Sequence, residues 1–524
     1  MKRTILLILS SLMLLSCLKD LGNYEYHELM EPEISGLDER IVLKEDRHLH
    51  LAPGLGGEEF TSEKYTFEWK AISKEGVETL LAETPVLDKE ILLLPGNYTL
   101  IFRITEKATH IFWQQKCELQ ISDVTSEGWM ILCEEGKDRT VRMDMYSEVS
   151  KKVILDVLKG NGMPELHGPH RISWMQGNLV DKDSPFYLTT EDGTTRLGKN
   201  GFEWKEEYSL EYEMGRQSDS RPVQINEVVN GKILCDHNTV WYSDCLVATG
   251  LFAQISPSLK AAPAVGTNLV NKNIFIPMSL LYDLENKRFM GYAPNLRDDL
   301  MGNAEPLHEM NEMVDLLENL SNAGKVVGNA FEEFPVGLDY VWMENTQYDP
   351  NKTGTGITYA VLKDEKKFYL YGIQSGELLG GVDVGGPAFA IGKAYHADLS
   401  GCQDIALADH FAFSSLTACM YYAVGGTLYR VDLSNPQQIR SERQFSLDGE
   451  KIEVLEFNLY KDPDLALKNY DLVVASNEIF NDVEGGHLRI YEGFTSEGDF
   501  KGVRPTHYKG FGHIVDVAYR ELQF

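Results

Sequence analysis

The sequence predicts an all-β protein: a small immunoglobulin-like sandwich, then a β-propeller of about seven blades with one short helix inserted. Three observations predict it. From Glu31 to Ser122 the text runs in short alternating strands rich in Val, Ile, Tyr, Phe and Thr, which suit a half-buried pleated surface. Downstream, loosely similar strand–turn–strand units recur about every 40–70 residues: "TVRMDMYSEV", "SLLYDLENKRFMGY", "KFYLYGIQSGELLG", "GTLYRVDLSNPQQ" and "HLRIYEGFTSEGDF". Only one segment breaks this texture with a helical period. Two further β-sandwiches are the alternative to a propeller.

The first element is a leader. Lys2 and Arg3 precede an apolar run from Ile5 to Leu15, too short to span a bilayer, so residues 1–16 read as a secretory signal peptide. Leu14-Leu15-Ser16-Cys17 resembles the bacterial lipobox, in which the cysteine thiol is acylated and becomes the first residue after cleavage. Two or three acyl chains anchor stably where one does not. Cys17 is therefore the expected lipidation site, and residues 17–28 a polar tether. Lys19-Asp20 resembles the charged export signal of Bacteroidota surface lipoproteins, which implies an outer-membrane, cell-surface location.

Residues 29–125 read as the sandwich. In "YTFEWKAI", Tyr65, Phe67 and Trp69 alternate onto one strand face, where an inter-sheet tryptophan packs; Pro95-Gly96-Asn97 marks a tight turn. "DLGNYEYHE", "YTFEWK" and "LPGNYTLIFRITE" together resemble the PKD-like family of Bacteroidota lipoproteins, over the leader and about the first 120 residues. That resemblance implies a setting beside a TonB-dependent porin and its lidding lipoprotein, in a starch-utilisation-type uptake system.

Residues 126–524 read as the propeller. The helical exception is "NAEPLHEMNEMVDLLENLSNAG", residues 303–324, where Leu307, Met310, Val314, Leu317 and Leu320 share one face between the capping Asn303 and the terminating Gly324. Two roles fit that face: packing on the propeller rim, or docking of a partner on Leu307, Met310, Val314 and Leu317.

Composition restricts the chemistry. Lys plus Arg less Asp plus Glu is 49 − 80 = −31, which argues against nucleic acid as a partner. No CxxC is present, so the cysteines after Cys17 read as buried thiols, with Cys235 and Cys245 close enough in sequence to pair across a hairpin. There is no GxSxG elbow, P-loop or dinucleotide fingerprint. "HEMNEM" has Glu312 where a zincin needs its second histidine, and His167 and His170 in "LHGPH" lack a third ligand. The Asp-rich turns miss the calcium-loop pattern. No metal or cofactor is expected. Paired carboxylates at a propeller axis stay open as a hydrolytic site, but nothing in the sequence selects a pair.

What remains is aromatic richness without catalytic motifs. Trp204 in "GFEWKEEY" and Trp342 beside "MENTQY" have the most polar surroundings and are the candidate ligand-binding residues. The expected function is capture of extracellular glycan or peptide oligomers rather than their conversion. A propeller hydrolase or lyase, or a structural subunit docking on the transporter, are the alternatives.

Overall fold

A computed structural model describes residues 33–522, apart from 44–47, 57–59, 75, 94, 176–185, 200, 216–221, 237, 245–250, 271–277, 295–305, 320–329, 353, 375–391, 462, 482 and 493–497. Cys17, Cys245 and both ends of the 303–324 segment lie outside the described residues, as does the side chain of Leu317. Among the described residues no helix is long and apolar enough to cross a membrane. The chain divides into two compact units, Met1–Ile121 and Ser122–Phe524.

The first unit is a sandwich. Its five-stranded sheet runs Arg40–Leu43, Phe112–Ile121, Gly96–Glu106, Tyr65–Ser73, Glu78–Ala82, with only the first pair parallel. Two small pairs, His48–Leu51 with Leu87–Glu90 and Glu33–Ser35 with Gly54–Gly56, complete it. The alternation in "YTFEWKA" sends Tyr65, Phe67, Trp69 and Ala71 inward. Trp69 is fully buried, its ring 4.5 Å from that of Phe102, and its indole N–H donates to the Thr84 carbonyl at 3.0 Å. That bond satisfies the polar atom a buried tryptophan brings with it.

The second unit contains seven sheets, the blades of a propeller. Blade one takes Gly128–Glu135, Thr140–Ser147 and Lys152–Ile154 from the start of the unit, and its innermost strand, His513–Arg520, from the end. Antiparallel pairing of 128–135 with 513–520 therefore closes the ring. Blades two, three, five, six and seven begin with innermost strands Pro169–Trp174, Pro222–Val228, Asp339–Asn345, His410–Phe413 and Glu450–Phe457. In blade four the inner position is an irregular stretch, bridged from Ala261 to Asp283 and from Gly266 to Leu280. Pro263 lies within it and has no N–H to give a ladder.

Seven separate apolar clusters lie between these blades, one per seam. Met130, Leu132, Ile172 and Leu188 pack between blades one and two; Ile131, Cys133, Val473 and Ala475 between seven and one. Consecutive residues of one strand thus feed two different seams. Both faces of a middle strand are buried, which is why strands such as Gly231–Asp236 are buried at every position. Cys133, Cys235, Cys402 and Cys419 are buried free thiols within these seams, and Cys117 is one in the core of the sandwich.

The helix begins later than its sequence period suggests: it is described over Met310–Asn319, following the outer strand Leu307–Glu309 of blade four. Gly291 sits beneath it, where an added Cβ would lie 3.0 Å from the Met310 sulfur and 3.2 Å from the Met313 methyl. Met310, Met313 and Val314 are buried in the seam between blades four and five, and Leu307 is half-buried. This face packs on the propeller, so Met310 and Val314 are not offered to a partner.

Candidate functional site at the propeller axis

The innermost strands of five blades carry a bulge of one residue against their neighbour. The extra residues are His170, Val223, Val341, Glu453 and Val515 in blades two, three, five, seven and one. The shared bulge puts these strands in a common frame. One position after it stand Arg171 and Asp516; three positions after it stand Asn226, Glu344 and Glu456. Positions two apart point to the same side of a strand, here toward the next blade.

Hydrogen bonds follow from that placement. Asp516 accepts from the Ile172 N–H at 3.0 Å, and Glu344 accepts from the Phe413 N–H at 3.2 Å. Asn226 donates to the Pro263 carbonyl at 2.7 Å. Each ties its own innermost strand to that of the following blade. Trp342 donates its indole N–H to the second Glu344 oxygen at 3.3 Å.

Glu456 and Arg171 stand differently. Neither side chain makes a hydrogen bond or ion pair among the described residues, and Arg171 is exposed although it lies on an innermost strand. Solvent therefore reaches the axis at the end where the inner strands begin, where His170 is exposed too. At the opposite end Lys461 of blade seven forms an ion pair with Glu227 of blade three and lies 4.7 Å above the Trp174 ring of blade two. Blades one and two stand between seven and three, so this bridge crosses the axis. The inner strands thus form a charged axial recess, with the exposed Arg171 toward one end and an ion pair bridging blades seven and three at the other.

Electrostatics couples the four groups. Burial first, then Glu456, pushes the Glu344 carboxyl up to about 8, against the pull of the Phe413 N–H, the Trp342 N–H and Arg171. Burial and Asp516 raise Glu456 to about 7, and burial raises Asp516 to about 6; Arg171 opposes both. One guanidinium thus serves three carboxyls walled in by protein yet half-exposed along the axis. Such groups can exchange protons near neutral pH. Among the described residues no cluster of three His, Cys, Asp or Glu side chains is placed to hold a metal ion.

The two tryptophans chosen from sequence lie apart. Trp342 is on the innermost strand of blade five, half-buried, its ring meeting His410 and Phe411. Trp204 follows the third strand of blade two, half-buried, and donates to the Thr195 hydroxyl at 2.9 Å. His167 is held by Asp192 at 2.8 Å. Sequence order hides the axial group because its members, Arg171, Glu344, Glu456 and Asp516, are 60 to 345 residues apart in the chain. A signal was present: single charges inside strand text, in "HRISW", "YVWMEN", "KIEVLEF" and "HIVDVAYR".

Comparison with known proteins adds the following. The PKD-like family matches residues 17–165, which is the sandwich together with the first three strands of blade one. None of the curated proteins matches. Among solved structures, a quinoprotein alcohol dehydrogenase-like protein of Bacteroides thetaiotaomicron is 12% identical, with 94% of this chain and 97% of that chain covered and a TM-score of 0.37. PorZ, a surface component of the type-IX secretion system of Porphyromonas gingivalis, is 9% identical over 80% of this chain and 44% of that one, with a TM-score of 0.31. The WD40 domain of SCAP from fission yeast is 8% identical, covering 64% and 66%, with a TM-score of 0.30.

Proposed function

We propose that this chain, PKD-like over residues 17–165, is a surface lipoprotein whose propeller captures extracellular glycan or peptide oligomers. Cys17 holds it at the outer membrane, and it serves as an auxiliary component of a starch-utilisation-type, TonB-dependent uptake system. The observation that carries the binding role is a pair of oppositely charged side chains, Arg171 and Glu456, that make no hydrogen bond or ion pair among the described residues and line the axis where Arg171 is exposed. A buried-wall charge without a partner costs stability, and binding a complementary group offsets that cost. Trp342 supports the recess by holding Glu344, and Trp204 remains a separate candidate contact on blade two.

Two measurements test the reading. Cys17→Ala is expected to leave the protein unprocessed or shift it from the membrane fraction to the soluble one; wild-type membrane retention would refute the anchor. Calorimetric screening of glycan and peptide oligomers against the full chain is expected to find a ligand whose affinity falls in an Arg171→Gln variant. Stoichiometric co-purification with a porin and no ligand would refute capture and favour a docking subunit.

The near-neutral carboxyls favour one second reading, a hydrolase using Glu344 and Glu456 as acid and base. Turnover of any oligomer that is lost in Glu456→Gln would establish it.

A further inference from the structure

We infer that the axial recess binds a small zwitterion, the two free ends of a short peptide, with its carboxylate on Arg171 and its ammonium on Glu456. The inference rests on the capture reading and narrows it to a ligand class. Arg171 brings a planar fork of donors with no acceptor, Glu456 brings acceptor oxygens with no donor, and both face one axis from blades two and seven. Each is felt by the other, since Arg171 acts on Glu456, yet they form no ion pair. A ligand with both signs satisfies both residues at once.

Other ligand chemistries satisfy less. A simple anion would pair Arg171 but meet Glu344, Glu456 and Asp516 in a chain of net charge −31. A simple cation would leave the guanidinium without its acceptor. A neutral sugar would leave both charges unpaired and would need a stacking face. Of the two tryptophans placed at the axis above, Trp342 has its ring against His410 and Phe411 and its N–H on Glu344, and Trp174 lies under the Lys461 ammonium. Length is limited too. The Lys461–Glu227 ion pair, with Lys461 over the Trp174 ring, spans the far end and stands in the way of a threading chain. The recess takes the ends of something short.

The test is titration calorimetry of the full chain with L-alanyl-L-alanine, its N-acetyl form and its C-terminal amide. The free dipeptide is expected to bind, and capping either end to weaken binding about tenfold or more, as loss of a charge-assisted hydrogen bond does. Arg171→Gln should make the amide and the free acid bind equally. Glu456→Gln should do the same for the acetylated and free amines. Neither side chain makes a hydrogen bond or ion pair among the described residues, so both variants are expected to fold and to keep a single cooperative melting transition. Equal binding of capped and free dipeptides overturns the inference. So does a neutral oligosaccharide that binds while the dipeptide does not, an outcome that leaves capture standing. Absence of binding by every peptide and glycan overturns both.

Discussion

Glu456 shows how one side chain can record the cost of a site. Its carboxyl rises from an ordinary 4.5 to about 7 because protein walls replace water and Asp516 lies near. Glu344 and Asp516 are raised to about 8 and about 6 by the same first cause. A raised acid binds its proton more tightly when folded than when unfolded. The contribution to stability is therefore intact below the ordinary carboxylate range and is lost as pH climbs through 6 to 8. Glu456→Gln removes one of these steps. Its melting temperature should exceed that of the wild type at pH 8 and converge with it near pH 4. A wild-type slope between pH 5 and 8 in the variant would contradict the assignment.

Elements explain why these charges meet. The bulge in five innermost strands adds one residue and resets the alternation, so residues downstream of it aim at the next blade. Asp516 and Glu344 then fasten neighbouring strands, and Glu456, in the same frame, has no such bond among the described residues. The helix Met310–Asn319 illustrates the opposite case, an element whose period was legible while its role was not. Its methionines settle over Gly291, where the missing side chain makes room. Met310→Ala should leave a cavity in the seam between blades four and five and destabilise the propeller by about 2–5 kcal/mol, measured by urea unfolding. A loss within experimental error would mean that the helix is not part of that core.

At the scale of the molecule, ring closure is the deciding interaction. The strand His513–Arg520 pairs with Gly128–Glu135, and Asn477 adds bonds of 2.8 Å to both the N–H and the carbonyl of Ile514. Deleting residues 512–524 should expose the apolar faces of blades one and seven together with an open sheet edge. The truncated chain is expected to aggregate or to lose its cooperative propeller transition in calorimetry, while residues 122–524 with the strand intact fold alone. A truncated chain that melts as the full one does would show that closure is dispensable.

The sequence by itself determined the all-β class, the PKD-like first domain, the inward face of Trp69 and the presence of strand–turn units suited to blades. Those are local facts: alternation, turn residues and aromatic placement depend on neighbours within about ten residues. Trp69 lies at 0% exposure because period-two patterning leaves it nowhere else to go. Only the tertiary structure decided that Arg171, Glu344, Glu456 and Asp516 share an axis, that the last strand belongs to the first blade, and that Met310 and Val314 face inward. Each of those depends on which distant strand becomes a neighbour, and a single charge in an apolar strand looks the same in text whether it points to solvent or to the axis. Ring closure makes that choice, because seven twisted sheets that bury both faces must converge on one line, and whatever their innermost strands carry meets there.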